Sequence, residues 1–512
     1  MRPSDAAALL APRKQPFARE IYQRLTAIPG VLSVTFVGSF FDREDLSGIS
    51  DIDVVVICES LDRVTFDACS AAMASMSPAL LGLPTHRLYL NTTFGPLKFD
   101  QPDQVVIHLM IYDRASHRTH VLKSPFTCLD WERSRVCAGQ SLAELYPVLI
   151  LQPGDFLNAR RSLSNYTDDL RRGVLSYRRY EFTDVGVVEK LEQAQLDERL
   201  RGEYAFHIVK NLVQNYAKLV RRQNVCLTTD ELIAFWREVL PGCASFADEF
   251  IRLQEAKFRR EAVFSAATVD FARNFMAVFQ AELAREWDSA QRIIFVRHAQ
   301  TELNDGSFLG QGRDPGIVGK GQGNESQPLY PHSSDLNSTD RIASGAVGHE
   351  RKFSKAYCSP LRRTRETALL LQPDAEPIAD ARLAEINYGE VEGLPIKQLA
   401  SRYPELVAAW ARGEDAPFPG GENTVAVQRR LHEFLNAIKC ETASPILVVT
   451  HNVVVRCLLG ELLGVPMRDW HRLRVNHLDA FEVIRRGDQL YLSLSEAQKA
   501  ALTDSLLPRP AG

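Results

Sequence analysis

The sequence predicts three successive domains: an α+β domain over 1–150, an all-α helical bundle over 151–288, and an α/β domain with a mainly parallel sheet over 289–512. Three observations carry that reading. A chain of 512 residues is too long for one domain of ordinary size, roughly 100–200 residues. Apolar residues make up 45% and charged residues 24%, which supplies several cores and excludes collagen-like, coiled-coil and wholly disordered chains. The spacing of the apolar residues then changes texture twice along the chain.

The first stretch carries short β-rich runs, VLSVTFVGS from 31, DIDVVVI from 51, RLYLN from 87 and QVVIHLMIY from 104, between helix-like segments. The middle stretch reads as amphipathic helices. In 203–222, Ala205, Val209, Leu212, Tyr216 and Leu219 recur at three- and four-residue spacing, with Lys210, Gln214, Lys218, Arg221 and Arg222 largely off that stripe. Its arginines (Arg160, Arg161, Arg171, Arg172, Arg178, Arg179) alternate with Asp168, Asp169 and Glu181 and read as a solvated face, while Tyr166, Tyr177, Tyr180 and Phe182 read as packing. In the last stretch RIIFV and ILVVT are buried-strand runs, with helix-like segments at 362–371, 395–412 and 424–439. Residues 312–350, rich in Gly, Ser, Asn, Asp and Pro, read largely as a long loop or lid.

Charge and composition narrow the partners. A net charge of −4 gives no global attraction for a polyanion and disfavours nucleic acid. The N-terminus lacks the apolar stretch of a signal peptide, and no run approaches the roughly 18 apolar residues that span a bilayer. The expectation is a soluble cytoplasmic protein without membrane contact. Nine cysteines without a C-x-x-C pair read as buried or incidental thiols.

Four segments of the last stretch carry chemistry. Arg297-His298 directly follows one strand run and His451 follows the other, so two imidazoles from separate strand ends can meet in one crevice. Between them, SPLRRTRETA (359–368) opens a helix that can aim a guanidinium and helix-start N–H groups at an anion. LAEINYGEVEG (383–393) supplies carboxylates able to protonate a leaving group. Spacing alone does not choose between Arg362 and Arg363, and Glu390 and Glu392 read as solvated or structural.

These segments, over 291–495, resemble the histidine phosphatase superfamily, which includes phosphoglycerate mutases and fructose-2,6-bisphosphatase. RHAQTELN resembles that family's R-H-G-x-T-x-x-N with Ala299 in place of glycine, and SPLRRTRETA resembles S-P-L-x-R-x-x-x-T-A. The resemblance implies His298 as a nucleophile that becomes phosphohistidine, Arg297, Arg363 and His451 as phosphoryl ligands, Asn304 bordering the phosphate pocket, and Glu385 as general acid, with no cofactor. Where the family usually has an amphipathic helix this chain has the polar 320–350 stretch, so substrate specificity and mutase activity do not carry over.

In the first stretch Gly38-Ser39 follows one β-run and Asp51-Ile52-Asp53 opens the next. Carboxylates two residues apart on a strand share a face and can share a metal. This pattern resembles the polymerase-beta-like nucleotidyltransferase superfamily. The resemblance implies that Asp51 and Asp53 hold Mg²⁺ on a nucleoside triphosphate, that Gly38 and Ser39 hold its phosphates, and that a third carboxylate follows. Asp100 and Asp113 are candidates for that carboxylate; His108 either faces the site or is a satisfied core histidine.

Together these readings give a bifunctional enzyme that hydrolyses a phosphorylated small molecule and transfers a nucleotidyl group to a small-molecule acceptor. The alternatives are a phosphatase regulated by an inactive nucleotide-binding half, an RNA-directed nucleotidyltransferase with a phosphatase domain, and an interaction scaffold using both folds.

Overall fold

The computed structural model describes residues 1–512 except 45, 47–50, 92, 95–102, 184–185, 260, 262, 319–351, 373–375, 442–444 and 508–512. The segment read as a lid thus lies, from 319 onward, outside the described residues, as does Asp100. The chain divides into two compact units, Met1–Arg285 and Glu286–Gly512.

In the N-terminal unit the four β-rich runs become strands β1 (Val31–Val37), β2 (Ile52–Cys58), β3 (Arg87–Asn91) and β5 (Gln104–Asp113). With β6 (Cys137–Gly139) they form a five-stranded mixed sheet ordered β3-β5-β2-β1-β6. β5 lies parallel to β2 and β3, whereas β1 runs antiparallel to β2 and β6. β2 and β5 are buried along almost their whole length, which is why they read as continuous apolar runs rather than alternating ones. One face packs on the helix Gln15–Thr26 through Phe17, Ile21, Tyr22 and Leu25, in a core shared with Val34, Phe36, Val54 and Val56.

The helical stripe predicted at 203–222 is the inward face of the helix Leu200–Arg221, whose Ala205, Val209, Leu212, Tyr216 and Leu219 are all buried. The all-α expectation for 151–288 fails at one place. Residues Val174–Thr183 (β7) and Gly186–Gln195 (β8) form an antiparallel hairpin of two ten-residue strands, of which β7 pairs with the short β4 (Thr93–Phe94). Charged and polar residues interrupt the apolar ones there, so no clean period of two announces the strands. The solvated-face expectation holds for Arg171 and Arg172, which pair with Asp168. Tyr166 is buried against Tyr204 and His207.

The C-terminal unit holds a six-stranded sheet ordered β11-β10-β12-β9-β13-β14, with β9 Gln291–Arg297, β10 Lys355–Cys358, β11 Ile378–Ala379, β12 Ile446–Thr450, β13 Ala480–Arg486 and β14 Gln489–Ser493. The sheet is mainly parallel, as expected, with an antiparallel edge. β9 to β12 are parallel neighbours, and β13 and β14 close one edge as an antiparallel hairpin. Helices Arg362–Leu371, Pro404–Ala411, Thr424–Ala437 and Asn452–Leu462 surround it. Among the described residues all nine cysteines are free, and no helix is long and apolar enough to cross a membrane.

Candidate functional site

Register brings the two C-terminal strand ends together. β9 and β12 are adjacent and parallel, with Arg297 opposite Thr450, so the residues that follow, His298 and His451, leave the sheet side by side. The His298 amide donates to the Thr450 carbonyl at 3.0 Å, and the two imidazole centroids lie 5.2 Å apart. His298 Nδ1 is 2.7 Å from the Ala299 carbonyl. A carbonyl oxygen only accepts, so Nδ1 carries the proton and the lone pair resides on Nε2. Ala299 fits without strain at the glycine position: its amide donates to Thr367 Oγ1 at 3.0 Å, and its φ is not positive.

Cations surround this ring. Arg297 closes β9 and is held by the Val475 carbonyl at 2.7 Å and by His477 Nε2 at 2.9 Å. Arg363, fully buried, donates to the carbonyls of Gly310 and Arg313 at 2.8 and 3.1 Å. Arg362 instead turns outward to Glu366, and its amide donates to Asp314, so the helix start meets a carboxylate of the protein itself. Geometry thus selects Arg363 over Arg362. Arg297 Nε, Arg363 Nε and both ring nitrogens of His451 are buried with no hydrogen-bond partner among the described residues. Buried polar nitrogens are rarely left so, since each costs about 1–3 kcal/mol; an oxyanion would accept from the two guanidinium Nε–H groups and from the one protonated nitrogen of His451.

Burial, reinforced by Arg363, Arg297 and His477, holds the His298 imidazole well below its usual pKa, despite its bond to the Ala299 carbonyl; His451 is likewise held down. Both rings are therefore neutral near pH 7. Glu385 moves the other way. Its burial raises the carboxyl above its usual range, against the pull of the Ile386 amide, Arg363, Arg297 and Arg430. Its Oε1 accepts from the Ile386 and Val453 amides at 2.9 and 3.3 Å, which ties it to the helix that follows His451. Asn304 sits on an exposed loop with Oδ1 turned back to the Thr301 amide at 2.6 Å. Glu392 is structural, accepting from the amides of Gly310, Gly312 and Arg313, and Glu390 is exposed.

Sequence reasoning missed several neighbours. His477, on an irregular segment before β13, lies 5.5 Å from His298 centroid to centroid, and burial and Arg297 push its pKa down to about 4. Gln311 and Arg430 both donate to the Glu385 carbonyl, at 2.6 and 3.1 Å, and fix its loop. No strand-end or helix-start signal marks these positions.

The N-terminal unit contains a second constellation. Asp53 on β2 is paired in register with His108 on the parallel β5, and with Val37 just before Gly38. His108 Nδ1 stands 3.2 Å from Asp51 Oδ2 and 3.3 Å from Asp53 Oδ1. His108 therefore faces the site. Asp113 does not: at the far end of β5 it caps the helix Arg114–Lys123, accepting from Ser116. Gly38 has φ +69°, and a Cβ there would lie 2.4 Å from Asp53 Oδ2, so only glycine lets the carboxylate approach this turn. Burial and the neighbouring Asp53 push the Asp51 carboxyl up to about 7, against the pull of His108 and Lys257. That excess of negative charge fits a bound cation. A cavity of about 780 Å³ adjoins the cluster, lined also by Ser39, Arg161, Lys210 and Lys257.

Comparison with known proteins bears on the C-terminal part. The family described as "Histidine phosphatase superfamily (branch 1)" matches residues 333–495. Phosphoserine phosphatase 1 of Hydrogenobacter thermophilus is 29% identical over 180 residues, 34% of this chain and 78% of that protein. A 2,3-bisphosphoglycerate-dependent phosphoglycerate mutase of Brucella melitensis is 29% identical over 185 residues, 34% of this chain and 83% of its own length. The native structure of a mycobacterial glucosyl-3-phosphoglycerate phosphatase has a TM-score of 0.32 at 22% identity, covering 40% of this chain and 99% of that one. The C-terminal two-fifths or so of the chain matches the histidine phosphatase superfamily.

Proposed function

We propose that the C-terminal unit hydrolyses phosphate monoesters through a phosphohistidine on His298. One observation carries the reading: a neutral imidazole with a free Nε2 lies among buried guanidinium and imidazole nitrogens that lack partners of their own. In the first step Nε2 attacks phosphorus, the bond to the ester oxygen breaks, and the proton of Glu385 passes to the departing alcohol. In the second, a water oxygen attacks the phosphohistidine, Glu385 takes the water's proton, and phosphate leaves with Nε2 restored. Arg297, Arg363 and His451 stabilise the equatorial oxygens, with Asn304 at the border of the pocket. The similar proteins include both phosphatases and mutases, and the substrate class this supports is a small phosphorylated metabolite. Release of phosphate from a panel of phosphomonoesters by the purified chain tests the reading, with His298→Ala as the inactive control.

For the N-terminal unit the proposal is nucleotidyl transfer from a nucleoside triphosphate to a small acceptor, with 1–150 as catalytic domain, 151–288 as its partner and 289–512 as the phosphatase. The support is the 780 Å³ cavity that joins Asp51 and Asp53 to Gly38, Ser39 and several cations, a size within the ordinary range for ligand pockets. Asp51 and Asp53 would hold Mg²⁺ or a similar ion, whose chemistry when bound is to neutralise phosphate charge and activate an acceptor hydroxyl. Lys210, Lys257 and Arg161 would steady the triphosphate. Pyrophosphate release dependent on a divalent ion, measured across the four nucleoside triphosphates, tests it.

A further inference from the structure

The ligand-capable atoms of the N-terminal cluster are not all oxygen. We infer that Asp51, Asp53 and His108 form one mixed oxygen–nitrogen site that takes Mn²⁺ in preference to Mg²⁺, with His108 as a direct ligand. The inference deepens the nucleotidyl-transfer reading and rests on it for the use of the ion, though not for its binding.

Three observations place the nitrogen in the site. Each of the three residues offers one ligand atom, and those atoms all lie within 4.8 Å of one another. The same atom of His108, Nδ1, faces both carboxylates, so a cation between them meets the ring nitrogen as well. The imidazole cannot easily swing away. His108 is itself buried, lies in the middle of β5 between the fully enclosed Ile107 and Leu109, and is opposite Asp53 in the ladder. Asp53 in turn is backed by Gly38, where no side chain fits. Beside this cluster the cavity presents Arg161, Lys210 and Lys257, side chains suited to an anion that arrives with the ion.

The donor set decides the metal. Mg²⁺ is a hard ion that favours carboxylate and water oxygens in strict octahedral geometry and dehydrates reluctantly. Imidazole is a softer donor that suits transition-metal ions better than Mg²⁺, with Mn²⁺, which also suits carboxylate oxygen, at the weak end of that series. Mn²⁺ accepts carboxylate oxygen and imidazole nitrogen together. The ion would take the Nδ1 lone pair of a neutral imidazole whose one proton stays on Nε2, and the two carboxylates would supply a formal charge of −2.

The test uses the full chain with Mn²⁺ or Mg²⁺ alone, without nucleotide. Calorimetric titration gives the affinities, and pulsed electron paramagnetic resonance of bound Mn²⁺ reports whether a ¹⁴N nucleus is directly attached. The expected result is a ¹⁴N coupling, an affinity for Mn²⁺ above that for Mg²⁺ by on the order of tenfold, loss of the coupling in His108→Asp with Mn²⁺ still bound, and loss of binding in Asp53→Asn. Mn²⁺ bound without ¹⁴N coupling, Mg²⁺ bound at least as tightly, or a coupling that survives His108→Asp overturns the inference while leaving nucleotidyl transfer standing. Failure of both ions to bind overturns the inference and removes the metal from the nucleotidyl-transfer reading too. The wild-type spectrum decides the point even if a variant does not fold.

Discussion

The two units each place a buried histidine beside a parallel strand pair, and surround it with opposite charge. His298 stands among Arg297, Arg363 and two further imidazoles. His108 stands between Asp51 and Asp53. Cations around a neutral ring prepare it to meet a phosphate, whereas carboxylates around a ring prepare it to meet a metal ion. In the proposed roles the same side chain serves as nucleophile or ligand according to which charges face it, and in both units strand register sets that company.

Substitutions that remove one member from each side break this contrast. The largest effect is expected from His298→Ala, which should lower phosphomonoester hydrolysis by at least about 10³-fold and leave divalent-ion binding in the N-terminal unit unchanged. Glu385→Gln should slow hydrolysis by about 10²–10⁴-fold for an alkyl phosphate and markedly less for a nitrophenyl phosphate, whose leaving group needs no proton. Stopped assays with the two esters measure the difference. Arg363→Lys should lose on the order of 10²-fold in kcat/KM, because an ammonium cannot reproduce the planar fork, while the exposed Arg362→Lys should stay within about threefold.

A pH profile sharpens the comparison without any mutation. As the proposed nucleophile, His298 must be neutral. Its pKa lies well below 6.5, so kcat/KM should persist through pH 6 and fall only on further acidification. As the proposed acid, Glu385 must be protonated. Its raised pKa means that form survives above the usual 4.5 and is lost as pH rises through the shifted value. The expected profile is a bell widened on both sides, its acid limb moved down by His298 and its alkaline limb moved up by Glu385, and an acid limb centred at or above pH 6.5 would count against a depressed His298. The smallest effect is on stability: Gly38→Ala forces φ +69° on a β-carbon facing Asp53, which should cost about 1–3 kcal/mol in denaturant titration.

How much of this can be read in the sequence depends on whether a residue is marked by a local pattern. His298 and His451 are legible because each ends a run that reads as a buried strand, and both runs are strands. The choice of Arg363 over Arg362 is not, since adjacent helix-start residues differ only in rotation about the helix axis. His477 is invisible for another reason: it lies on an irregular segment, and only folding brings it to Arg297. His108 hangs on the pairing of β2 with β5, a long-range register that no local spacing encodes. Asp113 carries a local sign that points elsewhere, Asp followed three residues later by Ser116, the sequence form of a helix cap. The hairpin of β7 and β8 hides behind its own charge, because polar residues occupy positions where an apolar alternation would announce a strand.

The most direct measurement is to trap the reaction of the full chain with a phosphomonoester in strong base, where a phosphorus–nitrogen bond survives, and to map the product by peptide mass spectrometry. A phosphoryl group on His298 that forms within one turnover, decays as phosphate appears and is absent from His298→Ala is the predicted result. Steady hydrolysis with no phosphorylated histidine, or a phosphoryl group that accumulates on His451 instead, contradicts it.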